Sequence, residues 1–100
     1  MNVLRTISQK AGGAGLPMLL IGGYAVMAHG FVRATDDLDL LVQGSRREQW
    51  RGLLEGLGMN VYRERTAFLQ FNSAPGARLP VDLLFVADEV FERMRADAEQ

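Results

Sequence analysis

Two aspartates in the segment DDLDLLV, Asp37 and Asp39, are the residues of this chain best suited to chemistry. On a strand, side chains at i and i+2 project to one face, so the two carboxylates lie within a few ångströms of each other. Their mutual repulsion asks for a counter-charge, and a bound divalent cation supplies one. A third acid, Asp82, stands near the start of PVDLLFV. If that segment pairs beside DLDLLV, the three carboxylates converge. Three oxygen-donating acids suit Mg²⁺ or Mn²⁺ rather than zinc or copper. Taken alone, an Asp-x-Asp pair also fits the solvent face of an edge strand.

The segment before the pair adds a second kind of chemistry. Pro17 introduces MLLI, a short apolar run of the kind found in central strands buried on both faces. Gly22 and Gly23 break the run, and YAVMAHG reads as a short helix closing at Gly30. A strand that delivers two glycines to a helix start turns free amide groups and the positive end of the helix dipole outward, where a phosphate can approach the backbone. Paired glycines also make simple tight turns. The other glycine cluster, AGGAG at residues 11–15, precedes the strand, and no GxxxxGK[ST] occurs, so a dinucleotide fingerprint and a P-loop are both excluded.

These residues need a frame to hold them. Val3, Leu4 and Ile7 recur at helical spacing over residues 2–10, with AGGAG as the stop. DLDLLV sets Asp37, Asp39 and Leu41 against Leu38, Leu40 and Val42, as a strand does. Ser45 with Glu48 forms a predicted capping box for a helix running to about Leu57, whose core stripe is Trp50, Leu53, Leu54 and Leu57. MNVYRE, AFLQFN and PVDLLFV read as three further strands, with SAPGAR as a turn, and Asp88 is the expected cap of a last helix reaching about Arg95. The pattern is an α/β (α+β) domain without internal repeats.

One hundred residues with 48% hydrophobic content fit a single domain over residues 1–100. Eleven basic and 12 acidic residues are mixed along the chain, which gives no uniform field for nucleic acid or an anionic membrane. The absence of cysteine removes disulfides, zinc–cysteine sites and thiol nucleophiles, and His29 is the only imidazole. The apolar stretch Leu16 to Ile21 is too short to span a bilayer, so the expected location is cytoplasmic.

The run GGYAVMAHGFVRATDDLDLLV, with its Gly-Gly turn, His-Gly helix end, Arg33-x-Thr35 step and Asp-x-Asp pair, is followed by a later carboxylate in VDLLF. Together these features resemble the nucleotidyltransferase superfamily, specifically the small bacterial proteins related to AbiEii-type toxin nucleotidyltransferases and, more distantly, antibiotic nucleotidyltransferases. The resemblance covers about residues 17 to 90. It implies a small mixed sheet flanked by helices, Mg²⁺ held by Asp37 and Asp39 with Asp82 as third carboxylate, and a triphosphate resting on Gly22 and Gly23. It further implies in-line attack of an acceptor hydroxyl on the α-phosphate of a nucleoside triphosphate, with Asp82 helping to deprotonate the acceptor. A protein side chain, a tRNA end and a small molecule all fit as acceptor.

Two departures stand out. Many relatives carry Gly-Ser where this chain has Gly22-Gly23, and similar proteins continue into further helices where this sequence ends at Gln100. The acceptor pocket would then be completed by a C-terminal helical extension or by a partner, whether an antitoxin-like protein or a second copy, or the domain is a binding module without catalysis. Arg33 and Thr35 flank the entrance to the acidic strand, where a guanidinium could meet triphosphate oxygens and a hydroxyl could fix the loop. His29 and Tyr24 are assigned no role, and Arg46, Arg47 and Arg51 are read as a solvated helix face.

Overall fold

The computed structural model describes residues 3–22, 38–72 and 80–98. Helix α1 (Val3–Gly13) leads to strand β1 (Met18–Gly22), and strand β2 (Leu38–Gln43) passes through a 3₁₀ turn (Gly44–Arg46) into helix α2 (Arg47–Gly56). Strands β3 (Val61–Glu64), β4 (Phe68–Phe71) and β5 (Val81–Val86) follow, and helix α3 (Asp88–Ala98) ends the described chain. The five strands form one sheet in the order β1-β2-β5-β4-β3. Only β2 and β5 run parallel; the other neighbours are antiparallel. The sheet is therefore mixed and the domain α+β, as the resemblance implies.

One face of the sheet carries the main core. Leu38, Leu40, Val42, Leu69, Phe71, Val81 and Leu83 meet Val3, Ile7 and Ala11 of α1 and Trp50 and Leu54 of α2 in one buried cluster. Leu53 and Leu57 complete the predicted stripe as partly buried neighbours. Leu41 and Phe91 are buried outside that cluster, and α3 packs against β2, which puts α3 on the opposite face.

Both α1 and α2 end in the same way. Gly15 and Gly58 take positive φ (71° and 89°), and the next residues, Leu16 and Met59, donate back to the carbonyls of Ala11 and Leu54. This left-handed stop satisfies helix carbonyls and buries Leu16 and Met59 in the core. Gly12 and Gly13 lie inside or at the end of α1, so only the last glycine of AGGAG makes the stop.

Three expectations are corrected. MLLI is an edge strand among the described residues rather than a central one, and Leu20 and Ile21 are 37% and 45% exposed. A continuous apolar run does not distinguish the two positions, because pairing partners decide them. Ser45 and Glu48 make no capping box: the chain leaves β2 through the 3₁₀ turn, the cap position of α2 falls on Arg46 without a side-chain cap, and the Ser45 hydroxyl donates to Asp88 Oδ1 at 2.8 Å. Asp88 is the first residue of α3 rather than its cap, since Phe91 N–H already bonds the Ala87 carbonyl. The SAPGAR turn and the YAVMAHG helix lie outside the described residues.

The arginines of α2 do more than face solvent. Arg47 donates to the backbone oxygens of Thr66 and Arg65 at 3.1 and 2.8 Å, pairs with Glu64 and stacks 4.8 Å over the Phe85 ring. Arg51 pairs with Glu64 and Glu55, and the charge of Glu64 is the main cause that raises its guanidinium above the usual arginine value. Arg47 thus ties α2 to the β3–β4 turn. Arg47→Ala should destabilise the domain by about 2 kcal/mol, and Arg47→Lys should recover less than half of that, because an ammonium cannot serve two carbonyls and stack together. Chemical denaturation of the three proteins checks this; full rescue by lysine would mean that charge alone matters there.

Candidate active site

Strand pairing assembles the candidate site. In the parallel β2–β5 pair, Asp39 stands directly opposite Asp82. On the other side of β2, Gly22 is the partner of Asp39, after an irregularity in β1 that leaves Ile21 out of register. Gly22, Asp39 and Asp82 therefore form one transverse row over three adjacent strands, with neighbours about 4.8 Å apart from strand to strand. Both aspartates are half-buried, and the Oδ1 oxygen of Asp82 is buried.

The local sequence explains this placement. In β2 the residues flanking Asp39, Leu38 and Leu40, enter the core, and in β5 Val81 and Leu83 do the same around Asp82. Strand alternation then sends each carboxylate to the opposite face. Asp39 shares that face with Leu41, two residues along, on the side where α3 packs. The solvent face of an edge strand does not describe Asp39, because β2 lies between β1 and β5.

Asp37, Gly23, Arg33 and Thr35 lie outside the described residues, as do His29 and Tyr24. Among the described residues, no group of three His, Cys, Asp or Glu side chains is placed to hold a metal. The two acids that are described fit a hard cation: both offer carboxylate oxygens from adjacent strands.

The row does not end at Asp82. Gln70 of β4 is the partner of Asp82, and Arg63 of β3 is the partner of Gln70. Sequence reading put both residues on strands without a role. The available signal was Gln70 itself, a polar residue between Leu69 and Phe71, both fully buried.

An open groove of about 1090 Å³ lies elsewhere, lined by Gly44, Ser45, Arg47, Phe85 and Asp88 among others. It sits at the far ends of β2 and β5, roughly 16 Å along the strand from Asp39. Its polar groups already serve one another, Ser45 with Asp88 and Arg47 with the β3–β4 turn. Volume alone therefore does not mark the chemical site.

No family model and no curated protein sequence matches the chain. Among solved structures it is similar to the solution structure of the antibiotic-resistance factor ANT(2'')-Ia, which shows substrate-regulated conformation dynamics, at 30% identity and a TM-score of 0.69 over 86% of this chain and 47% of that one. It is also similar to the crystal structure of ANT(2'')-Ia in complex with adenylyl-2''-tobramycin, at 28% identity and a TM-score of 0.68 over 87% of this chain and 51% of that one. The chain spans about half the length of these proteins. ANT(2'')-Ia is an aminoglycoside nucleotidyltransferase, and the fold of this chain is nucleotidyltransferase-like.

Proposed function

We propose that this chain is a nucleotidyltransferase that moves a nucleoside monophosphate from a nucleoside triphosphate to an acceptor hydroxyl, with Mg²⁺ or Mn²⁺ bound by Asp37, Asp39 and Asp82. The observation that carries the reading is the row Gly22–Asp39–Asp82: the last residue of β1 stands beside two carboxylates on adjacent strands. The likeness to a protein whose crystal complex holds an adenylylated tobramycin supports the same chemistry. Within this fold, the GGYAVMAHG…DLDLLV run is our reason for grouping the chain with the AbiEii-type toxin nucleotidyltransferases.

In this mechanism Gly22 and Gly23 admit the triphosphate close to the backbone, Arg33 contacts its oxygens, and the Thr35 hydroxyl fixes the loop that completes the nucleotide site. Asp37, Asp39 and Asp82 present carboxylate oxygens to the cation, which when bound neutralises charge on the attacking and departing oxygens. The acceptor oxygen forms a bond to the α-phosphorus as the bond to pyrophosphate breaks. Asp82, on the side of the row away from Gly22, takes up the acceptor proton.

The first test is thermal. With a triphosphate at about a hundred times its Kd and Mg²⁺ present, the domain should gain roughly 2.7 kcal/mol, which raises Tm by about 10 °C or more for a protein of this size. Omitting Mg²⁺ should remove most of the gain. Equal melting with and without all four ribonucleoside triphosphates would exclude a nucleotide site and favour a silent module that acts by binding a partner protein.

A further inference from the structure

We propose that the acceptor lies over Gln70 and Arg63 and carries an oxyanion, a phosphate or a carboxylate, beside the hydroxyl that receives the nucleotide. The inference rests on the transfer reading above and names the acceptor class for that same site.

Its basis is the continuation of the row beyond the carboxylates. Across the sheet the order is Gly22, Asp39, Asp82, Gln70, Arg63, one residue from each of the five strands. Directly paired residues in a sheet share a face, so the carboxamide of Gln70 and the guanidinium of Arg63 extend the carboxylate surface away from the glycine end. If the triphosphate occupies the Gly22 end, the attacking hydroxyl must come from the other side of the reacting phosphorus, because displacement is in line. That side is the Gln70–Arg63 end.

Both side chains have bonding capacity to offer. Gln70 is half-buried and Arg63 exposed, and neither engages another described residue in a hydrogen bond or ion pair. The contrast with the opposite face of the sheet is informative: there Glu64, next to Arg63, is held by both Arg47 and Arg51. Arg63 lies about 10 Å from Asp82, two strand spacings away, which is at or beyond the distance over which salt screens exposed charges. Neutralising the acids is thus a poor account of it. A guanidinium at that distance suits an acceptor with negative charge one short span from its hydroxyl, since arginine binds phosphate and carboxylate in a planar two-point fashion. A carboxamide between the two can donate to and accept from a hydroxyl.

Charge on an exposed edge strand also blocks pairing with other chains. The two roles separate cleanly, because Arg63→Glu keeps the edge charged while reversing its sign.

The experiment uses the whole chain labelled with ¹⁵N-arginine, loaded with Mg²⁺ and a non-hydrolysable triphosphate analogue, and titrated in turn with ribose 5-phosphate, gluconate, ribose and tobramycin. The Arg63 Nε–Hε resonance should move with ribose 5-phosphate or gluconate, whichever oxyanion the site prefers. That probe should bind about tenfold or more tightly than ribose. Arg63→Glu should abolish the preference, and Gln70→Ala should weaken binding of the same probe with the triphosphate-dependent Tm shift intact. Tighter binding of tobramycin, equal binding of ribose, no binding of either anion, or an unchanged preference in Arg63→Glu would each overturn the proposal. Failure of the transfer reading shows separately, as the absence of any Tm shift with the analogue and Mg²⁺ before a probe is added.

Discussion

Asp39→Asn should lower nucleotide transfer by on the order of a thousandfold while leaving Tm within about 4 °C of the parent. The substitution keeps the shape of the side chain and removes one charged oxygen donor from the centre of the row. Charge stabilisation of a phosphoryl transition state by a bound cation is worth several kcal/mol, and about 4 kcal/mol corresponds to three orders of magnitude in rate. Stability should change little. Asp39 is half-buried, while the anchoring of β2 comes from Leu38, Leu40 and Val42, all of which remain. A surface-type change within about 0.5 kcal/mol moves Tm by no more than about 4 °C in a domain of this size. Radiolabel transfer together with melting curves decides the matter. Full activity in the variant would remove Asp39 from the site, and a collapse of Tm would show that its role is structural.

The largest loss of stability is expected at Trp50. Its side chain is fully buried in the cluster where α1, α2 and the sheet meet. Trp50→Ala should cost about 3–5 kcal/mol, a large part of the roughly 5–15 kcal/mol that a domain of this length holds in total. Trp50→Phe should cost far less, within about 2 kcal/mol. The buried indole Nε1 finds no acceptor among the described residues. Replacing it by an apolar ring therefore relieves a desolvated donor, worth about 1–3 kcal/mol, against the loss of ring volume. Urea denaturation of the pair measures the difference. Equal damage from both substitutions would mean that Nε1 has a partner in the folded protein.

Much of this architecture was legible in the residue order. The alternation of DLDLLV and PVDLLFV determined that Leu38 and Leu40, and Val81 and Leu83, enter the core while Asp39 and Asp82 between them turn the other way, because strand periodicity is a local property. The stripe Trp50, Leu53, Leu54, Leu57 determined the inner face of α2 and its length to about Leu57. The resemblance of the GGYAVMAHG…DLDLLV run pointed to a nucleotidyltransferase-like fold before any tertiary contact was known. Local signals also misled where two partners competed for one group: Ser45 has the residue type of a helix cap, yet its hydroxyl goes to Asp88, 43 positions away.

What only the tertiary structure decided is which strands are neighbours. Hydropathy reads the same for an edge strand and a central one, so MLLI reads as buried on both sides, whereas the order β1-β2-β5-β4-β3 places it at the rim of the sheet among the described residues. The same order sets Asp82 opposite Asp39 across 43 residues of sequence and continues the row to Gln70 and Arg63. Register is a relation between segments, set by how all the buried side chains pack at once, and no single stretch of this chain contains it.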